Sequence, residues 1–341
     1  MFDQAGRGYT ELFRSINRIP DTICIILIQP IIPPREFDKW DSSERDMRRR
    51  KSAGPFLAGI TMLSATAAPA QEPSSSALSN FLADWDARAS AARAAQPDWT
   101  SPIATSTGIL EQRFRFELLD QHAGNGSDTV VLDGGKGLDL IVGDTEEVQI
   151  GLAPYDIRSA RAAGNSHAGF GDWTFLRLKQ RLASSPADRG DYVVATWLQI
   201  QAPTGIAAYS NGSWTFLPTL AFGKGWGPVD VQATIGGVIP TSNVGVLGRQ
   251  LQTNIALQYH FGGIFWPELD ANWTYYPDGQ RAGLHQLFLT PGFTMARFHF
   301  SQKTTFTIGV GYQVAVAPQY RAKPLTPSYG NALLFSSRIN F

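Results

Sequence analysis

The chain has 341 residues, 29 Lys and Arg against 29 Asp and Glu, and 43% hydrophobic residues. Its formal neutrality leaves no electrostatic footprint for a nucleic-acid partner, and no run reaches the roughly 18 apolar residues of a membrane-spanning helix. The single cysteine, Cys24, excludes an internal disulfide.

Residues 1–46 mix charges with the short run TICIILIQPII (Thr22 to Ile32), which proline interrupts before it could cross a bilayer. A secretory signal follows at 47–70. Arg48, Arg49, Arg50 and Lys51 supply its basic start, Ala53 to Ala67 its apolar core, and Ala68-Pro69-Ala70 a cleavage site that ends at Ala70. We read Met47 as the start of translation and 1–46 as an upstream extension of the reading frame. The processed chain from Gln71 then has 271 residues, 19 basic and 21 acidic, and no cysteine.

Residues 71–108 read as a periplasmic leader. Within it Leu78, Phe81, Leu82 and Trp85 recur at helical spacing behind a Ser-rich start, and Pro97 stops the pattern. An amphipathic helix outside the lumen is the preferred reading, with a lumen plug as the alternative.

From 109 to 341 the period changes to two. In LEQRFRFELL, Leu110, Phe114, Phe116 and Leu118 share a face, and Glu111, Arg113, Arg115 and Glu117 share the other. RQLQTNIALQYHF, ELDANWTYY and TTFTIGVGYQVAV alternate in the same way. About twelve strands follow, near 109–119, 137–143, 146–152, 172–183, 191–202, 213–223, 228–240, 250–262, 264–276, 284–300, 304–317 and 331–341. Their connections alternate between short and long, as in an outer-membrane barrel with short periplasmic turns and longer outer loops. The predicted fold is therefore all-β, a transmembrane antiparallel up-and-down β-barrel of about 12 strands with a short N-terminal helix. Trp226, Phe261, Trp266, Phe298 and Phe300 fall at predicted periplasmic ends, and Trp214, Trp273, Tyr275 and Tyr276 at outer ends, as an aromatic girdle requires. The last strand, LLFSSRINF, ends on Phe341, an aromatic terminus of the kind that barrel-assembly machinery reads.

Alternation sends a set of charges to the lumen: Glu111, Arg113, Arg115 and Glu117 on the first strand, Arg177, Lys179 and Arg181 on the fourth, Glu268 and Asp270 on the ninth, and Arg338 on the last. The fourth strand of a twelve-strand barrel faces the ninth or tenth. The basic and acidic ladders then make either a transverse field across a pore or a salt-bridged network that closes it.

No residues form a catalytic set. His299-Phe300-Ser301 has a His-x-Ser spacing, but it falls on a periplasmic turn with His299 opposite to its aromatic neighbours. DGGKGLD (Asp133 to Asp139) lacks the phosphate-loop pattern. The five histidines are scattered, and Asp144, Glu146 and Glu147 read as a solvated acidic turn. No metal or other cofactor is expected.

With the strands placed, GFGDWTFLRLKQRL (Gly169 to Leu182), VVATWLQIQAPTG (Val193 to Gly205), PTLAFGKGWGPVDVQATIGGVIP (Pro218 to Pro240), LTPGF and GVGYQVAV resemble the outer-membrane family labelled "MetA-pathway of phenol degradation". The resemblance spans approximately Arg113 to Phe341. It implies a barrel and passage of small molecules, aromatic or hydrophobic compounds among them, and it transfers no catalytic or binding residue. The expected function is an outer-membrane channel or transporter, with a closed structural or surface-interaction barrel as the alternative. Its expected partners are outer-membrane lipid, the secretion and barrel-assembly machinery and a small solute.

Overall fold

The computed structural model describes residues 75–123, 126–160, 166–301, 303–317 and 329–341. The upstream extension, the signal segment and Ala70 lie outside these residues. A twenty-residue helix, α1 (Ser75–Ala94), precedes fifteen strands. They are β1 (Arg113–His122), β2 (Ser127–Leu132), β3 (Gly137–Ile141), β4 (Glu146–Gly151), β5 (Tyr155–Ala160), β6 (His167–Phe170), β7 (Trp173–Ser185) and β8 (Tyr192–Ala202). Then come β9 (Thr215–Trp226), β10 (Val229–Pro240), β11 (Gln250–Tyr259), β12 (Phe265–Tyr275), β13 (His285–His299), β14 (Thr305–Ala317) and β15 (Asn331–Asn340).

The strands pair antiparallel, and the sheet closes on itself where β1 pairs β15 from Arg113↔Asn340 to His122↔Asn331. Closure leaves the twelve-strand wall without an open edge, which is what allows a sheet to sit in hydrocarbon with its backbone groups satisfied, while the short β6 pairs β5 alone among the described residues. Twelve strands form the continuous wall, in the order β1, β3, β4, then β7 to β15. Both ends of the wall, at Arg113 and Asn340, lie on the rim with the short turns 142–145, 186–191, 227–228 and 260–264, hereafter the near rim.

The remaining three strands correct the sequence reading, which placed loops at 120–136 and 153–171. β2, β5 and β6 continue β3, β4 and β7 toward the far rim, and β1 spans both levels, pairing β3 through Arg113–Arg115 and β2 through Leu118–His122. The three strands break side by side at 133–136, 152–154 and 171–172. Asp133 (φ 58°) and Gly135 (φ 81°) take left-handed backbone conformations that interrupt a ladder, and Pro154 has no N–H to give. The seam is bridged by Leu152 N–H to Lys136 O (2.6 Å), Gly171 N–H to Pro154 O (2.9 Å) and Trp173 Nε1–H to Gly151 O (2.8 Å).

Polarity is inverted relative to a water-soluble sandwich. Leu178, Leu198, Phe222, Ile235, Ile255, Leu269, Leu333 and Phe335 are exposed on the outer face, while Lys179, Gln232, Gln258, Asp270, Thr307 and Arg338 are buried inside. A belt this large would drive a soluble protein to aggregate, whereas a barrel in lipid requires it. Two details of the predicted pattern differ. β1 begins at Arg113, and Leu110, read onto the outer face, is buried against Ala89, Ala92 and Ile141. Trp266, read as a girdle residue, is 1% exposed and stacks on His260 with ring centroids 3.7 Å apart. The period of two explains the second, because Glu268 and Asp270 face inward and Trp266 shares their parity. Tyr276 is likewise buried, whereas Trp226, Phe261, Phe298, Phe300 and Trp214 are exposed.

Candidate functional site

The segment between α1 and β1 enters the barrel from the near rim and returns to it. Gln96 staples the two legs of this inserted loop: its Nε2 donates to Leu110 O (2.8 Å) and its Oε1 accepts from Leu110 N–H (2.9 Å). In between, Trp99 packs with Val193 of β8, Trp266 of β12 and Ala296 of β13, and Ile103 packs with Ala332 and Leu334 of β15. Side chains from around the wall converge on this one stretch of chain, which occupies the lumen.

PDWTSPIATSTGIL has two prolines and no helical or strand period, so its backbone groups have no ladder of their own. Buried without partners, such groups are costly. The wall supplies the partners. Glu268 Oε1 accepts from Ile103 N–H (2.6 Å), and the two oxygens of Asp270 accept from Thr105 N–H (3.0 Å) and Ala104 N–H (3.4 Å). On the donor side, Arg338 gives to Ser101 O and Pro102 O (2.9 Å), Arg115 to Ile103 O (2.8 Å), Lys179 to Ile109 O (2.9 Å) and Gln232 to Thr100 O (3.0 Å). Thr107 Oγ1–H to Gln232 Oε1 (2.6 Å) adds a side-chain bond.

β12 lies five strands round from β7 in the twelve-strand wall, so Glu268 and Asp270 stand across the lumen from Arg177, Lys179 and Arg181. Three lumen cations are paired with carboxylates on the β7 side. Arg113 binds Glu111 and Asp139 (2.9 Å), Arg115 binds Glu117, and Lys179 binds Glu147 (2.8 Å). Arg181 instead holds the base of the inserted loop through Ala92 O (2.6 Å) and Gln96 Oε1 (3.0 Å). Among the described residues no ion pair crosses from β7 to β12. The loop backbone makes the crossing, turning N–H groups to the carboxylates and C=O groups to the cations, as dipoles do in a transverse field.

Small residues make room for it. A Cβ at Gly223 would stand 2.5 Å from the Trp99 ring, and one at Gly225 3.0 Å from it. Gly292, Gly309 and Gly311 line the seat of Ile103, where added Cβ atoms would meet its side chain at 2.9, 3.0 and 3.5 Å. Beneath the loop a polar cavity of about 190 Å³ remains, bounded by Trp99, Ile109, Arg113, Thr307, Arg338 and Asn340.

α1 lies across the near rim and leaves the lumen to the loop. Trp85 Nε1–H donates to Ile141 O (2.7 Å), Arg88 to Val142 O (3.1 Å) and Arg93 to Phe341 O (3.3 Å), while Lys303 pairs with Asp86. That Lys303 bond holds the Asp86 carboxyl below its ordinary range. Leu78, Phe81 and Leu82 point away from the barrel and are exposed. The helical spacing was legible in the sequence. The loop was missed because it has no period, and the signal able to reveal it was the row of inward glycines in AFGKGW and TIGVG, which a water-filled pore does not need.

The other motifs resolve as structure. Ser301 Oγ caps its turn by accepting from Lys303 N–H (3.3 Å) and Thr304 N–H (3.1 Å). Within DGGKGLD, Asp133 Oδ1 accepts from Lys136 N–H (3.2 Å), and Asp139 faces Arg113. Of the acidic turn, Glu146 bonds Thr145, whereas Glu147 points into the lumen to Lys179.

No family model matches the chain, so the family label stays a resemblance. No curated protein matches it either. Among solved structures the chain is similar to the COG4313 outer membrane channel from Pseudomonas putida F1, at 14% identity over 71% of this chain and 100% of that one, with a TM-score of 0.46. It is similar also to the NanC porin (7% identity, 66% and 98%, TM-score 0.42) and the KdgM porin (8%, 67% and 99%, TM-score 0.37). Likeness of this degree assigns neither a family nor a solute.

Proposed function

We propose that the protein is an outer-membrane channel for small solutes whose lumen is closed at rest by the loop 97–112. The observation that carries this is the way the loop is held. Its backbone, more than its side chains, is gripped by charged residues of the wall, so a polar solute offering the same donors and acceptors competes for the same partners. The lumen face is mostly polar and carries charges on β1, β7, β12 and β15, which favours polar solutes over wholly apolar ones; an aromatic ring finds a lumen-facing partner in Trp197. In this reading the near rim is periplasmic, the exposed belt meets lipid, the signal segment delivers the chain for export, and Phe341 serves barrel assembly.

The test is conductance in planar bilayers. The intact chain is expected to pass little current, and deletion of 99–109 to raise it severalfold while the barrel stays folded, seen as a heat-dependent gel shift. Asp270→Asn, which weakens the grip on Thr105 and Ala104, is expected to give an intermediate current with frequent closures. A folded deletion variant that passes no current would favour the second reading, a barrel with a structural or surface-interaction role. The number of bonds that hold the loop is the observation on that side.

A further inference from the structure

Among the lumen cations of the described residues, one has no hydrogen-bond partner in the closed structure. Arg113, Arg115, Lys179, Arg181 and Arg338 each hold the loop, its base or a neighbouring carboxylate. Arg177 is 7% exposed and lies on the lumen face of β7, yet it makes no hydrogen bond and no ion pair with the described residues. Its guanidinium rests over the Trp197 ring, 5.6 Å from the centroid. Asp139 and Glu147 are nearby, but the oxygens of the first are taken by Arg113 and Gln149, and those of the second by Lys179 and the Glu111 N–H. Its Nε–H is thus buried with nothing to donate to, which is expensive unless it has a task, and the rest of the planar fork has no protein acceptor among the described residues.

The neighbour on the paired strand is complementary. Gln149 of β4 stands opposite Arg177 in the ladder. Its Nε2 donates to Asp139 Oδ1 (2.6 Å), which fixes the amide orientation and turns Oε1 into a buried acceptor without a donor. Paired Cα atoms in such a ladder are about 5 Å apart. A free fork of donors and a free acceptor therefore lie side by side, with Trp197 as an apolar floor. Arg177 is one ladder step farther from the near rim than Lys179, whose Nζ holds Ile109 O. Among the cations of β7 it is the one nearest to a solute arriving from the far rim.

We propose that Arg177 and Gln149 form the recognition point for a hydroxy-carboxylate solute. The carboxylate accepts from the guanidinium fork, and a neighbouring hydroxyl donates to Gln149 Oε1. Arg177 swings to meet the solute without breaking a hydrogen bond to the described residues, and bidentate geometry is what distinguishes it from a lysine. This assignment rests on the channel reading for its purpose, though not for its chemistry.

Calorimetric titration of the detergent-solubilised full chain tests it with three probes: gluconate, which has both groups, acetate, which lacks the hydroxyl, and sorbitol, which lacks the charge. Gluconate is expected to bind best and sorbitol not at all. Arg177→Gln is expected to weaken gluconate about tenfold or more, as loss of a charged hydrogen bond does, and Arg177→Lys, which keeps the charge, to weaken it less. Gln149→Leu is expected to reduce gluconate to the level of acetate. Equal gluconate affinity in the parent and Arg177→Gln, or no binding by the parent, overturns the proposal. Current through the 99–109 deletion variant judges the channel reading separately. A conducting variant with an unchanged Arg177→Gln titration sinks the site alone, and a silent variant with the expected titrations sinks the channel alone.

Discussion

Single residues decide where the inserted loop can lie. Trp99 needs a hollow in the wall, and Gly223 with Gly225 provides it by having no side chain. Gly223→Ala puts a Cβ at 2.5 Å from the ring, so Trp99 or its strand must yield. Overpacking of this kind costs about 1–3 kcal/mol. Because the crowding falls between loop and wall, the expected outcome is a destabilised loop on an intact barrel. Faster quenching of tryptophan fluorescence by acrylamide would report it, against an unchanged gel shift. The opposing acids work in another way. Glu268 and Asp270 spend their acceptor capacity on backbone N–H groups, with Gln258 Nε2–H taking the second oxygen of Glu268 at 2.5 Å. Each such charge-assisted bond contributes about 1.5–3 kcal/mol, so the loop is held firmly.

At the scale of elements, α1 is a clasp. Three of its side chains donate to carbonyls of Ile141, Val142 and Phe341, and Asp86 pairs with Lys303 in the turn after β13. Lys303 lowers the Asp86 pKa, so this contribution is complete above the ordinary aspartate range and is lost only as pH falls through the lowered value. Between neutrality and pH 5 the clasp should not change. The pair is exposed, so salt should loosen it where mild acid does not. Trypsin cutting at Arg88 in detergent-solubilised protein measures this. The rate is expected to rise with 1 M salt and in Asp86→Asn, and to stay flat between pH 7 and 5 after correction for the enzyme. Insensitivity to both salt and Asp86→Asn would show that the carbonyl bonds alone hold the helix. The break shared by β2/β3, β4/β5 and β6/β7 is the second feature at this scale. It follows from Asp133, Gly135 and Pro154, and its bridges keep the wall continuous.

For the molecule as a whole, the inverted polarity is the governing fact. Ile235 sits mid-strand on β10 and is exposed, while Thr234 beside it is buried. Ile235→Arg places a charge against hydrocarbon and is expected to cost about 2–4 kcal/mol at the bilayer midplane. Urea unfolding in liposomes measures that cost. A neutral effect there would contradict a lipid-facing belt.

Much of this was written in the chain. Alternation in TTFTIGVGYQVAV and ELDANWTYY assigns each residue to lipid or lumen, because a strand in a closed wall has only two faces and each demands one polarity. The twelve-strand count followed, since every wall strand carries enough of that pattern to be recognised alone. So did the inward placement of Arg177, Lys179, Glu268 and Asp270, and the helix at Leu78 to Trp85. What only the tertiary structure decided was what these charges do. The stretch from Pro97 to Gln112 has no period, so nothing local says that it folds back into the lumen. Its position depends on partners more than 100 residues distant, among them Gln232, Glu268, Asp270 and Arg338. Local patterns report the faces of a strand; they do not report what occupies the space that the strands enclose.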